Sequence, residues 1–272
     1  MYLKNICLFL IIISNIFLFS GCETKKQQLE KKALIELVPS AEITNETARA
    51  LEIDYVENDY AENENIKKIR IKNISDFNLS NISIKYNEVD SNKNIVSSSE
   101  NFLQMSLMPS EVIYVELLCK NHIDDVEVIT YNYTFNENKV SVDIKNNKFT
   151  ITKIKKETND IKDYDVLTTS DIYKVQDNKE DNVYEIKVKN LSKSDLGNIK
   201  IKVAELNEEK ECIKVNDIIA YEVLKSLEEK KLQIILSEDA KYTELIGYSY
   251  DNISAKANIY IDKKIGKVNI NK

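Results

Sequence analysis

The single histidine of the chain, His122, stands in Cys119-Lys120-Asn121-His122-Ile123-Asp124-Asp125. Sulfur, imidazole and carboxylate all ligate transition metals, so Cys119, His122 and one aspartate could hold zinc. A thiol beside an imidazole could also act as a nucleophile. The spacing favours neither reading. No second Cys or His lies nearby to complete a tetrahedron, and a polar turn next to a partly buried thiol accounts for the same residues. Asp90-Ser91-Asn92-Lys93-Asn94 begins as a calcium loop does, with oxygen ligands at alternate positions. Ile95 then stands where such a loop needs Gly, and Asn101 where it needs a bidentate Glu, so the segment reads as a hairpin turn. No serine can be tied to the lone histidine as a triad, and four glycines leave little material for a phosphate-binding loop. The acidic pairs Asp124-Asp125 and Glu228-Glu229 point to opposite faces of any strand that carries them, whereas a glycosidase opposes its carboxylates across a cleft. The expectation is of no catalytic residues, no metal and no cofactor, and hence of a protein that is not an enzyme.

Binding chemistry is better supplied. Among fifteen tyrosines, Tyr131 and Tyr133 with Phe135 fall at strand spacing on one face. Tyrosine offers a broad, rigid surface with one hydrogen bond, which makes these three a candidate binding surface; the plainer use of the same face is core.

The remaining chemistry is an address. Lys4, the apolar run from Ile6 to Phe19, and Ser20-Gly21-Cys22 are too short for a spanning helix, which takes about 20 apolar residues, and have the order of a signal peptide ending in small residues before a cysteine. These residues resemble a bacterial lipoprotein precursor. The resemblance implies cleavage before Cys22, a diacylglyceryl thioether on its sulfur and an acylated (palmitate-type) amino group. The expected localisation is the extracytoplasmic side of a bacterial cell membrane, with the membrane as a partner through the lipid on Cys22 and two or three chains holding the protein durably. Lys4 is the only charged residue in 1–21, so the rest of the chain carries 37 Lys and Arg against 45 Asp and Glu, a formal −8. That balance disfavours nucleic acid, which wants a basic footprint. With Cys7 in the signal and Cys22 lipidated, Cys119 and Cys212 remain, and they are expected as two separate buried thiols.

The elements that must position these residues repeat. At an offset of 117, Asn73-Ile74-Ser75 falls on Asn190-Leu191-Ser192, Leu79 to Ile84 on Leu196 to Ile201, and Tyr131-Asn132-Tyr133 on Tyr248-Ser249-Tyr250; Val142 and Ile144 are then expected over Ile259 and Ile261. Apolar residues alternate with period two, the strand period, through Ile69 and Ile71, Ile82 and Ile84, Val140 and Val142, and their counterparts. Short strands with polar connections and about 100 residues per copy predict an all-β chain of tandem immunoglobulin-like antiparallel β-sandwiches. The expected organisation is a signal peptide over 1–21, a lipidated tether with a short helix over 22–47, a first sandwich over 48–147, a connector over 148–164 and a second, divergent sandwich over 165–272.

Phe77-Asn78-Leu79-Ser80-Asn81, the Asp90–Asn94 turn, and Leu107-Met108-Pro109-Ser110-Glu111 resemble the motif region of FxLYD domains, small β-sandwich modules of exported bacterial lipoproteins. Here Ser80-Asn81 replaces Tyr-Asp, and Ser110 stands where Gly is usual. The resemblance implies a fold and an exported context and brings no catalytic residues with it. The expected function is a lipid-anchored, non-catalytic envelope protein acting as a recognition or protein-interaction module, with an envelope or extracellular protein as partner. The alternatives are a structural or accessory lipoprotein of a membrane-associated complex and, behind it, a cryptic envelope enzyme.

Overall fold

The computed structural model describes residues 48–56, 66–119, 123–154, 160–177 and 182–271. Cys22, the expected signal peptide and tether, and His122 lie outside them. The described chain is all-β. The first repeat contains β1 (Leu51–Val56), β2 (Ile66–Asn73), β3 (Ser80–Val89), β4 (Ile95–Phe102), β5 (Val112–Leu118), β6 (Asp125–Phe135), β7 (Asn138–Asp143) and β8 (Lys148–Lys153). The second contains β9 (Leu167–Thr169), β10 (Tyr173–Asp177), β11 (Asn182–Asn190), β12 (Leu196–Leu206), β13 (Cys212–Ala220), β14 (Glu229–Leu236), β15 (Tyr242–Asn252), β16 (Ala257–Asp262) and β17 (Lys267–Asn271).

Alternation decides the faces. In β2, Ile69, Ile71 and Asn73 are buried while Arg70 and Lys72 between them are half-buried, because successive side chains leave a strand on opposite sides. In the first repeat β1-β2-β5 form one layer and β4-β3-β6-β7-β8 the other. In the second, Ile186 and Val188 of β11 and Ile234 of β14 share one core with Ile201, Tyr248, Ile259 and Val268 from the other sheet. This is sandwich packing of two antiparallel layers.

β2 through β6 recur as β11 through β15 at the 117-residue step, and so does the left-handed backbone at their bulges and turns. Asn81 and Asn198 have φ of 49° and 47°, Lys93 and Lys210 63° and 62°, Ser110 and Leu227 66° and 62°. Position 110 thus sits in the left-handed region that glycine occupies most easily.

The repeats diverge at two places, and one expected boundary shifts. Val142 faces Tyr131 in the first and Ile261 faces Tyr248 in the second. Two extra residues in the turn between β15 and β16 therefore raise the step to 119, and the expected match of Val142 with Ile259 is corrected to Ile261. The expected connector over 148–164 is partly sheet, since β8 pairs with β7 along its length; the one-turn 3-10 helix Ile161–Asp163 follows, and Ile161 and Tyr164 pack on the second core. The counterpart of β1 is split into β9 and β10, both paired with the same edge of β11.

A buried asparagine sets the turn after the second strand of each repeat. Asn73 Nδ2 donates to the carbonyls of Phe77 (2.9 Å) and Leu107 (3.1 Å), and its Oδ1 accepts from the Ser75 amide (3.0 Å) and hydroxyl (2.6 Å). Asn190 does the same with Ser194 (2.8 Å), Leu224 (3.1 Å), and the amide (2.8 Å) and hydroxyl (2.7 Å) of Ser192. Both asparagines are fully buried, and a side chain with two donors and an acceptor substitutes for a strand neighbour where the chain turns away.

The two sandwiches do not hang apart on a linker. An eight-stranded sheet, β1-β2-β5-β13-β12-β15-β16-β17, runs through both, joined where β5 and β13 meet in parallel at Ile113 and Cys212. The described residues fall in a single compact unit.

Candidate functional site

The aromatic residues expected to offer a binding surface are core. Tyr131, Tyr133 and Phe135 are 3%, 0% and 6% exposed, so the exposed-stripe expectation is corrected: the face they share is turned into the first sandwich. Phe135 stacks on Phe77 at 4.0 Å between ring centres, and the Tyr133 hydroxyl donates to the Ala48 carbonyl at 3.0 Å. In the second repeat Tyr250 donates to the Tyr164 carbonyl at 2.9 Å, and Tyr248 is hydrogen-bonded to Asp165 while accepting from the Leu167 amide at 3.4 Å. These phenols fasten the segment that leads into each sandwich. Burial pushes Tyr131 and Tyr250 up to about 12 and raises Tyr133 and Tyr248 as well.

Among the described residues around His122, Cys119 and Asp125 are each engaged elsewhere. The buried Cys119 thiol donates to the Leu117 carbonyl and is raised by burial, and Asp125 faces Lys93 at 3.6 Å. Cys212 is likewise free and buried, its thiol pushed up to about 12 by burial, so the pair is two separate thiols. The Asp90 segment is a hairpin turn whose oxygens are engaged: Asp90 Oδ1 accepts from the amides of Asn92 (2.9 Å) and Asn94 (2.8 Å), and Oδ2 from Asn94 Nδ2 (3.1 Å). Asn207 repeats this with the Glu211 amide at 2.8 Å. Among the described residues no three His, Cys, Asp or Glu side chains gather to hold a metal, and no buried side-chain polar atom lacks a partner.

Concavity and convergent polar groups occur together at the junction of the repeats. Glu211, at the start of β13, accepts from Arg70 of β2 at 3.2 Å and from the Tyr114 hydroxyl of β5 at 2.7 Å. Burial pushes the Glu211 carboxyl up, but these two donors outweigh it and hold it below the usual glutamate range. Arg70 also reaches Asp54 at 3.1 Å. Lys264, whose side chain is 1% exposed, lies 2.6 Å from Glu111 of the first repeat and 3.3 Å from Glu244 of the second. The Ser106 hydroxyl donates to Asp262 across the same boundary at 2.6 Å. Beside this network opens a cleft of about 440 Å³, walled by Ile113–Glu116 of β5 on one side and Ile213–Val215 of β13 on the other, with Phe102 at the end of β4.

Sequence reasoning missed this junction. A usable signal lay in the mismatches between copies: Arg70 aligns with Lys187, Tyr114 with Lys231, and Glu211 with Asn94. Residues that a duplication leaves unlike one another are candidates for contacts made only once.

The described chain therefore belongs to the class of all-β proteins built from antiparallel, sandwich-like sheets. No protein-family model matches it, and no curated protein matches it in sequence. Among solved structures it is similar to an exo-chitosanase of Amycolatopsis orientalis (11% identity, TM-score 0.23, covering 79% of this chain and 27% of that one). A red sea bream transglutaminase follows (7% identity, TM-score 0.22, 85% and 34%), and a DUF4785 family protein of Legionella pneumophila (11% identity, TM-score 0.22, 80% and 54%). The chain thus spans between about a quarter and about half the length of these structures. At such scores the likeness carries no argument about activity.

Proposed function

We propose that this chain is a lipid-anchored, non-catalytic bacterial envelope protein whose paired, FxLYD-like and immunoglobulin-like sandwiches serve as one recognition platform for an envelope or extracellular protein. Cys22 is the lipid attachment point and the extracytoplasmic face of the membrane its location. The observation that carries the recognition reading is the junction. A shared sheet and a network of charged and polar contacts hold two sandwiches in one orientation, and rigid preorganisation lowers the ordering cost of binding. A cleft of about 440 Å³ with polar groups in its walls lies at that boundary.

The test is proximity crosslinking and affinity capture on the natively anchored protein, with Cys22→Ala as the control for localisation. A reproducible heterologous protein captured only when Cys22 is intact is the expected result. Capture of self alone would replace recognition with a structural role, and unchanged membrane retention of the Cys22→Ala protein would remove the anchor.

A further inference from the structure

β5 and β13 meet in parallel at one register pair, Ile113 with Cys212. Each has its other side occupied, β5 by β2 and β13 by β12. Past that pair no further register joins them, and among the described residues no other strand is hydrogen-bonded to either facing edge. Both strands nevertheless line the same cleft, β5 with Ile113–Glu116 and β13 with Ile213–Val215. Two strand edges that start together and separate leave a wedge whose walls each present a row of backbone N–H and C=O groups.

We propose that this wedge is a strand-accepting site: an extended polypeptide segment of a partner inserts between β5 and β13 and completes the sheet that the two repeats only begin to share. The proposal rests on the recognition reading above and names its site and ligand class. The occupant's chemistry follows from the walls. Unpaired strand edges are complemented by another extended backbone, the mode of β-augmentation. Walls of four residues on β5 and three on β13, at about 3.3 Å per residue, match a segment of about three or four residues. Side-chain preference comes from Phe102, which is 67% exposed at the mouth, and from the rim, where Lys68 and Lys214 are balanced by Glu116 and Asp239. With no net charge there, the wedge favours a neutral segment with an apolar side chain set against Phe102. Specificity would come from that one contact, and affinity from main-chain hydrogen bonds.

The test pans a phage-displayed library of random heptapeptides against the full-length protein purified in detergent, then follows the enriched peptides by hydrogen-exchange mass spectrometry. The expected result has three parts: new protection of amides within 112–118 and 213–217, at least tenfold weaker binding when alternate peptide amides are N-methylated, and weaker binding to Phe102→Ser at unchanged Tm. Failure to enrich any peptide, protection confined to other strands, or indifference to N-methylation would each overturn the site. Protection elsewhere would sink the wedge and leave the recognition reading standing, whereas peptide insertion here without any captured envelope protein would keep the wedge and sink that reading.

Discussion

Asn73 and Asn190 have the most consequential single side chains in the fold. Each is fully buried and accepts from the Ser75 or Ser192 amide, which has no strand partner at the turn, while its donors reach carbonyls of which Leu107 and Leu224 also take backbone N–H groups from Leu79 and Leu196. Removing the side chain leaves that amide without its acceptor, which costs about 1–3 kcal/mol for a buried group left unpaired. Asn190→Ala and Asn73→Ala should each lower stability by at least that amount in chemical denaturation, while Ser192→Ala, which spares the Asn190 amide donors, should cost less; equal losses would refute the assignment. The core tyrosines make a second prediction. Burial holds Tyr131 and Tyr250 up to about 12, so the folded state keeps protons that an unfolded phenol gives up near pH 10. Their stabilisation is complete below about pH 10 and is lost as pH rises through about 12. A spectrophotometric titration of the folded protein should show a late tyrosine wave that merges with the first in denaturant; a single wave near pH 10 in buffer would contradict the burial. The Asn-x-Ser repeat was visible in the sequence. The fate of the tyrosines was not, because period two places Tyr131, Tyr133 and Phe135 on one face without saying whether that face meets the core or solvent.

Strands whose faces differ were the readable elements. β2 and β7 alternate because one side is buried, β3 alternates in sequence although both its faces are largely covered, and the 117-residue step carried the pattern of β2 and β3 into the second repeat. β4 and β13 were not read as strands. β4, Ile-Val-Ser-Ser-Ser-Glu-Asn-Phe, is half-buried at best along its length, so its sequence is under no pressure to alternate. The step also broke where two residues entered a turn, which no core contact resists. Turn chemistry offers a test at this scale. Leu227 is 67% exposed and held at φ 62°, a conformation that costs an L-residue roughly 1–2 kcal/mol and glycine much less. Leu227→Gly should therefore raise stability by about 1 kcal/mol after the greater chain entropy of unfolded glycine is counted. Gly247 behaves oppositely. A Cβ there would lie 2.5 Å from the Ile261 carbonyl oxygen, so Gly247→Ala should loosen the pairing of β15 with β16 and lower Tm.

The whole molecule is governed by the junction, where charge enters the stability. Arg70 and Tyr114 hold the Glu211 carboxyl below its usual range, so the folded state favours the ionised form. That contribution is present above the unfolded pKa of about 4.3 and fades as pH falls through the lower folded value. The Tm gap between the natural protein and Glu211→Gln should accordingly shrink below about pH 4; a gap constant with pH would mean that Glu211 acts by packing alone. Because one sheet passes through both repeats, calorimetry should record a single unfolding transition near neutral pH.

The join between the repeats is also head-to-tail. β5 of the first repeat meets β13 of the second, and these strands are not counterparts: the equivalent of β5 is β14, and that of β13 is β4. A contact between unlike patches does not close on itself, and it leaves β14 and β4 as terminal edges of their sheets, each shaped like half of the contact already made. Repeated between molecules, such a contact propagates without limit into a filament. The joining residues are not repeated at those free edges, where Lys231 stands for Tyr114, Lys187 for Arg70 and Asn94 for Glu211. The triple variant Asn94→Glu, Lys187→Arg, Lys231→Tyr should consequently self-associate with rising concentration in sedimentation velocity, turning a duplicated protein into the monomer of a polymer.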